Sequence, residues 1–152
     1  MQKNTKAMLA AFAVTSMLSL QAIADTTPED AADYRKAVMT VLRGHIGAAS
    51  MIVRGLVDDD GHLVSHAQGL ADGARELGRV FQEGSNVGES EALPIIWEEP
   101  EAFAAAVAKT EEATAAFLAA AESGDEEAIG AAFRNVGMSC RGCHDNYRVA
   151  HD

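Results

Sequence analysis

The sequence lacks an alternating strand pattern, an internal repeat and a low-complexity segment. Without alternation of apolar and polar residues there is no indication of a β-sheet, and without a repeat there is none of a solenoid. Net positive charge is missing as well, since 23 acidic residues outnumber 12 basic ones and give a formal net charge of −11. Such a surface repels nucleic acid and anionic lipid, so we expect neither as a partner.

The first 24 residues have the pattern of a cleaved signal peptide. Lys3 and Lys6 are basic, residues 7–20 are almost wholly apolar, and residues 22–24 have the small-x-small form that precedes cleavage. A membrane anchor is the weaker interpretation, because a spanning helix needs roughly 20 apolar residues. We therefore expect export to the periplasm and no stable membrane insertion. One mature domain, residues 25–152, then carries a net charge of −13, because the two lysines are removed from a chain of −11.

Apolar residues recur at helical spacing in four segments of the mature chain. The segments run from Pro28 to the acidic turn at 58–61, from His62 or Leu63 to about Phe81, from Pro100 to Ser123, and from Asp125 to Tyr147. Short connections between the helices predict an all-α fold, an antiparallel up-down-up-down four-helix bundle. The connection from Gln82 to Trp97 is long and unusually apolar, so we expect it to pack over the core or over a cofactor edge.

The only two cysteines belong to the motif Cys140-Arg141-Gly142-Cys143-His144. This C-x-x-C-H pattern is typical of c-type haem attachment, in which both thiols bind the haem covalently and the histidine binds its iron. On a helix the two thiols and the imidazole project from one face. A local disulfide or a thioredoxin-like pair would use the same cysteines, but neither accounts for His144. The sequence thus predicts one covalent haem.

The second axial position of the iron decides the function, because an occupied position suits electron transfer and an open one suits gas binding. Met39 is nearest in height: it lies about 15 Å into the first helix, while His144 lies roughly 9 Å from the end of the last. Met39 also has a plain alternative role as core filler. Two other methionines are less suitable, because Met51 is too far along the first helix and Met138 is on the same helix as His144. Among the histidines, His45 lies off the face of Met39, and we expect it to be exposed or hydrogen-bonded. We expect His62 and His66 on the surface, and His151 is terminal.

Three segments resemble the cytochrome c′ family: C-R-G-C-H-D-N-Y-R at 140–148, P-E-D-A-A-D-Y-R-K-A-V-M at 28–39, and L-P-I-I-W at 93–97. The resemblance implies that Met39 is the distal residue and binds the iron, as in the low-spin cytochrome c-556 type. It also implies that Arg35 and Lys36 lie near the haem propionates and that Arg148 lies beside His144. Solvation of Arg35 and Lys36, or a helix-dipole role for Arg148, would account for these residues equally.

These observations favour a periplasmic electron carrier with a His/Met-ligated haem and no enzymatic activity. Redox proteins with a basic docking face are the expected partners, because an acidic surface steers them towards it. The family resemblance adds a possible homodimer through the first and second helices. The alternative function is that of a high-spin cytochrome c′, which binds NO or CO at an open or displaceable distal site.

Overall fold

A computed structural model describes residues 26–150, so the predicted signal peptide and His151 lie outside the described residues. The helices are α1 (Pro28–Val53), α2 (His62–Glu76), α3 (Ile95–Glu98), α4 (Pro100–Ser123) and α5 (Glu126–Tyr147). Within the range described there is no β-strand, only an isolated antiparallel bridge between Ala92 and Arg148. The predicted all-α fold is confirmed.

Local chemistry explains where the long helices begin and end. Thr27 caps α1, because its hydroxyl accepts a hydrogen bond from the Asp30 amide at 3.1 Å, and Pro28 then occupies the first turn. Asp125 caps α5 by accepting from the amides of Glu127 and Ala128 at 3.0 and 3.1 Å. Such side-chain acceptors satisfy amides that have no partner inside the helix.

The second helix is shorter than predicted, since α2 ends at Glu76 after 15 residues instead of continuing to Phe81. The chain turns at 77–80, yet Leu77 and Val80 remain buried. The spacing of apolar residues at 77–80 therefore reflects burial of their side chains and not a helical backbone. The connection that follows contains the four-residue helix α3, whose Ile96 is buried, so it packs over the core as expected.

The helices pack in the order of an up-down-up-down bundle: α1 against α2, α2 against α4, and α4 against α5. The first and last helices close the ring much more loosely, with only sparse contact between α1 and α5. None of the helices in the described part of the chain is long and apolar enough to cross a membrane.

Most of the buried apolar side chains form two clusters. The far cluster consists of Ala49, Leu63, Ala67, Leu70, Phe117, Ala121, Ala132 and Val136. The motif cluster consists of Ala74, Leu77, Ile96, Phe103 and Val107. Cys140 packs against the far cluster and Cys143 against the motif cluster, so the C-x-x-C-H motif lies where the two clusters meet.

Candidate haem site

The two cysteines and the histidine of the motif lie in the last two turns of α5. Cys140 and Cys143 are half-buried and free, so the disulfide alternative finds no support in the structure. Burial raises the pKa of each thiol, which keeps both protonated. Two reduced thiols on adjacent turns of one helix are the arrangement that covalent haem attachment requires.

His144 is half-buried beside them. Burial lowers the pKa of its imidazole, and the positive charge of Arg148 lowers it further, while Asp145 and Glu91 act in the opposite direction. The neutral imidazole is therefore favoured. Only this form has a free lone pair with which to bind a metal.

Met39 lies on α1, half-buried, and packs against the motif cluster, as does Cys143. Of the two rival methionines, Met51 lies near the end of α1 and Met138 lies on α5, as the sequence predicted. Met51 is 47% exposed and Met138 is 64% exposed. Because α1 and α5 touch only sparsely, the helix that carries Met39 is not packed tightly against the helix that carries the motif. Iron ligation by Met39 stays a prediction, since its burial also suits a core residue.

The structure agrees with the sequence-based expectations for His45 and His62 but not with that for His66. His45 is hydrogen-bonded, one of the two expected possibilities, and its partner is His66, with the two Nδ1 atoms 3.2 Å apart. The expectation that His66 lies on the surface is wrong, because it is half-buried between α1 and α2. His62 is exposed as expected and pairs with the Asp60 carboxylate through its Nδ1.

Arg35 is almost fully buried, with 5% of its surface exposed. Its Nη1 donates to the Val80 carbonyl at 3.2 Å and to the Ser85 hydroxyl at 2.7 Å. Its Nη2 donates to the Ser85 carbonyl and the Ser90 hydroxyl, both at 2.7 Å, and the guanidinium lies 5.0 Å from the centre of the Phe81 ring. Arg35 thus fixes the connection between α2 and α3 to α1. These hydrogen bonds use four of the five N–H groups of the guanidinium. Contact between Arg35 and a haem propionate stays a prediction.

Lys36 follows Arg35 but is exposed, and its ammonium lies 3.7 Å from the carboxylates of both Asp33 and Glu89. The propionate role that the family resemblance gives to Lys36 is not tested by these contacts. They do show that the residue is solvated, as its alternative interpretation held.

Arg148 follows the end of α5, where its amide donates to the His144 carbonyl at 3.2 Å. Its guanidinium lies 3.9 Å from the Glu91 carboxylate. The chain on both sides of Arg148 pairs with the connection: the Leu93 amide donates to the Tyr147 carbonyl at 3.0 Å, and the Val149 amide donates to the Glu91 carbonyl at 2.9 Å. Its proximity to His144, which the resemblance implied, agrees with the lowering of the His144 pKa.

Sequence reasoning missed a group of aromatic side chains at this end of the bundle. Phe103 meets Phe81 and Tyr147 edge-on, with ring centres 4.8 and 5.1 Å apart. The Trp97 indole donates to the Phe81 carbonyl at 3.2 Å. Their spacing along the chain has no period, so only the packing of α4, α5 and the connection brings them together. Phe81, Trp97 and Tyr147 remain half-buried.

The residues present fit a covalent c-type haem. Two free thiols and a neutral imidazole share one face of α5, a thioether lies on the neighbouring helix, and half-buried aromatic side chains supply the apolar surface that a porphyrin needs. The loose closure between α1 and α5 is consistent with a planar group held between them.

Known proteins resemble this chain over nearly all of its described length. The family model described as cytochrome C′ matches residues 30–148. The cytochrome c′ of Pararhodospirillum photometricum is 31% identical over 123 residues, which are 80% of this chain and 98% of that protein. The cytochrome c-556 of Agrobacterium tumefaciens is 31% identical over 118 residues, 77% of this chain and 95% of that protein. Among solved structures, the nitric oxide complex of a variant of cytochrome c prime from Alcaligenes xylosoxidans has a TM-score of 0.78 and 30% identity, and the match covers 84% of this chain and 99% of that one.

Proposed function

This chain belongs to the cytochrome c′ family, and on that basis we propose that it binds a small diatomic gas such as nitric oxide at the haem face covered by Met39. The chain binds one covalent c-type haem, as the family does. We assign its attachment to Cys140 and Cys143 and its proximal ligation to His144. When bound, haem iron supplies an axial position that takes up such a gas or exchanges one electron.

The observation that carries this proposal is the solved nitric oxide complex of a variant of a relative. The structural match to that protein covers 84% of this chain at 30% identity. The surroundings of Met39 are in keeping with it, because the side chains of the motif cluster are apolar and a neutral diatomic molecule has little need of hydrogen-bond donors. A charged or strongly polar substrate would lose its hydration there without compensation. The findings thus favour the alternative function over the electron carrier that the sequence favoured.

The role of Met39 in this proposal is to cover the distal face. A thioether is a weak and adaptable ligand on three rotatable bonds, so its side chain can leave its position without disturbing the helix. Its half-buried environment, shared with Phe81 and Trp97, limits access to small molecules. We propose no enzymatic activity, since these residues hold a cofactor and need not act on a substrate.

Absorption spectra of the reduced holoprotein with and without carbon monoxide test the proposal. We expect carbon monoxide to change the spectrum of the wild type, and Met39→Leu to bind the gas faster because the thioether no longer competes. Met51→Leu is the matched control, an exposed methionine on the same helix, and it should behave as the wild type. A reduced wild-type protein that shows no spectral change with carbon monoxide would overturn the proposal.

The electron carrier remains a second candidate because Met39 on α1 carries a thioether and packs, like Cys143, against the motif cluster. A His/Met pair suits one-electron transfer, because the ligand set need not rearrange between redox states. Low-spin spectra in both redox states, together with failure to bind carbon monoxide, would establish this function instead. Its partner would be a redox protein with a basic face, and its electron-transfer rate should then fall steeply with ionic strength.

We also propose that the protein is exported to the periplasm and that residues 1–24 are removed. The support is the basic, apolar and small-x-small order of that segment. The mass of the purified holoprotein should correspond to a chain that begins at Asp25 plus one haem. A mass that includes residues 1–24 would contradict cleavage.

A homodimer through α1 and α2 is a further proposal, and α1 carries a surface suited to it. Small and apolar residues recur along its outer face at alternating spacings of four and three: Ala37, Val41, Gly44, Ala48 and Met51. Val41 is 55% exposed, and this 3.5-residue period is the one with which two helices pack along their length. Light scattering should show a dimer that Val41→Glu dissociates. The control Val149→Glu changes a similarly exposed valine elsewhere and should remain dimeric.

A further inference from the structure

The half-buried pair of His45 and His66 lies between α1 and α2 and is not among the residues assigned to the haem. Its two Nδ1 atoms are 3.2 Å apart, and the ring centres are 5.5 Å apart at an angle of 60°. At most one proton can lie between two nitrogens at that distance, so one nitrogen donates and the other presents a lone pair. Two imidazole nitrogens from different helices thus converge on one point.

The separation suits a shared metal ion. Imidazole nitrogens lie about 2.0–2.1 Å from Zn²⁺, so two of them on a tetrahedral ion are roughly 3.3 Å apart, and at right angles about 2.9 Å. The observed 3.2 Å falls between these values.

The sequence makes room for this pair with a glycine. A Cβ atom at Gly69 would overlap the imidazole of His45, so the ring can lie against α2 only because that position has no side chain. Glycine inside a helix lowers the stability of that helix relative to alanine. The placement of the His45 ring therefore has a local cost in helix stability.

The neighbouring turn of the same interface provides an internal comparison. There Gly73 leaves a similar space on α2, and a Cβ at that position would lie 2.6 Å from Cδ2 of Leu42. When this interface needs only packing, an apolar leucine fills the space. At Gly69 the space is filled instead by an imidazole, whose nitrogen meets a second imidazole. Packing alone gives no reason for that pair.

We propose that His45 and His66 form a second metal site, distinct from the haem iron, for a divalent ion that favours imidazole, such as Zn²⁺. The described residues contain no group of three or more metal-ligating side chains placed to hold an ion. The site therefore has two protein ligands and completes its coordination with water. An ion held by one ligand from each helix links α1, which carries Met39, to α2. With only two protein ligands, we expect the ion to bind reversibly and not to be required for folding.

Calorimetric titration of the mature holoprotein with Zn²⁺ at near-neutral pH tests the site, since haem occupies His144 in that form. We expect one ion per chain and a zinc-dependent rise in the thermal midpoint, because a ligand that binds only the folded state stabilises it. His45→Gln and His66→Gln keep a hydrogen-bonding side chain but lose the imidazole. Each should weaken binding by at least about tenfold, since even changes outside the ligand set typically cost that much.

His62→Gln is the matched control, because His62 lies one turn before His66 on α2 but is exposed and paired with Asp60. His62→Gln should change the zinc affinity by less than about twofold, whereas each of the other two variants should weaken it by at least about tenfold. The proposal is overturned if the wild type binds no more zinc than the double variant His45→Gln/His66→Gln. It is equally overturned if His62→Gln weakens binding as much as either member of the pair, because the ligands would then be spaced along α2 instead of shared between helices.

Discussion

The two ends of the bundle are built differently. The far cluster is closed by its own side chains, with Ala49, Ala67, Phe117 and Val136 fully buried. Around the motif cluster the large side chains Met39, Phe81, Trp97 and Tyr147 are only half-buried. The far end therefore has the packing of an ordinary protein core, whereas the motif end leaves apolar surface that a haem would cover. We therefore expect the far end to fold without the cofactor and the motif end to reach full burial only with it.

Removal of the haem should give the largest effect and separate the two ends. The double variant Cys140→Ser/Cys143→Ser should lose all covalently retained haem, measured by haem staining after denaturing electrophoresis, because no thiol remains to attach it. Amide hydrogen exchange should then accelerate in the connection at 81–97 but stay slow in the part of α2 that carries Leu63 and Leu70. Met138→Ala, an exposed change on the same helix, should retain the haem. Equal acceleration at both ends would contradict the division.

Deletion of the largest fully buried side chain should test the far end. Phe117→Ala leaves a cavity in the far cluster and should lower the free energy of unfolding by about 3–5 kcal/mol, measured by urea denaturation. The loss should be similar with and without haem, because the far cluster does not rely on the cofactor. Phe133→Ala, a half-buried neighbour of Phe117, should cost less. A much smaller loss in the haem-free protein would show that this end also needs the haem.

The anchor of the connection should give an intermediate effect at the motif end. Arg35→Leu removes donors from the carbonyls of Val80 and Ser85, and buried acceptors without partners cost about 1–3 kcal/mol. We expect lower stability in urea and faster amide exchange at 80–90. Lys36→Ala is the matched control, since its exposed ion pairs contribute at most about 1 kcal/mol. If both variants behave alike, Arg35 is not the anchor of the connection.

The helix caps should give the smallest effects, one at each end. Asp125→Ala removes an acceptor for two amides at the start of α5 and should cost about 1 kcal/mol. Thr27→Ala removes an acceptor for one amide at the start of α1 and should cost less. Thermal unfolding would rank the stabilities of these two variants and of the control Glu122→Ala. Glu122 is exposed near the end of α4. A larger loss for Thr27 than for Asp125 would reverse the expected order.

The sequence predicted the long helices well because their ends carry recognisable residues. Thr27 and Pro28 mark the start of α1, and Gly124, whose φ of 70° ends α4, is followed at once by the cap Asp125. The end of α2 was placed too late because Leu77 and Phe81 keep helix-like spacing although the backbone turns after Glu76. Burial produces the same apolar pattern as a helix when a turn packs against the core.

The parts that sequence could not predict depend on contacts between distant segments. The pairing of His45 with His66 requires the register between α1 and α2, and that register depends on Gly69 and Gly73. Arg35 meets serine hydroxyls and main-chain carbonyls, which leave no charge pattern to recognise. Met39 could be proposed as the distal residue because its distance along α1 follows from the rise per residue of a helix, and its ligation of the iron stays a prediction.

The pairing of Tyr147 and Val149 with Leu93 and Glu91 has a consequence for the order of events during synthesis. Residues 147–149 are made after every segment with which they pair, because translation runs towards the C-terminus. The other helices can meet beforehand, but the end of α5 can be secured to the connection only after the motif has been made. Attachment of the end of α5 to the connection therefore cannot precede synthesis of the motif.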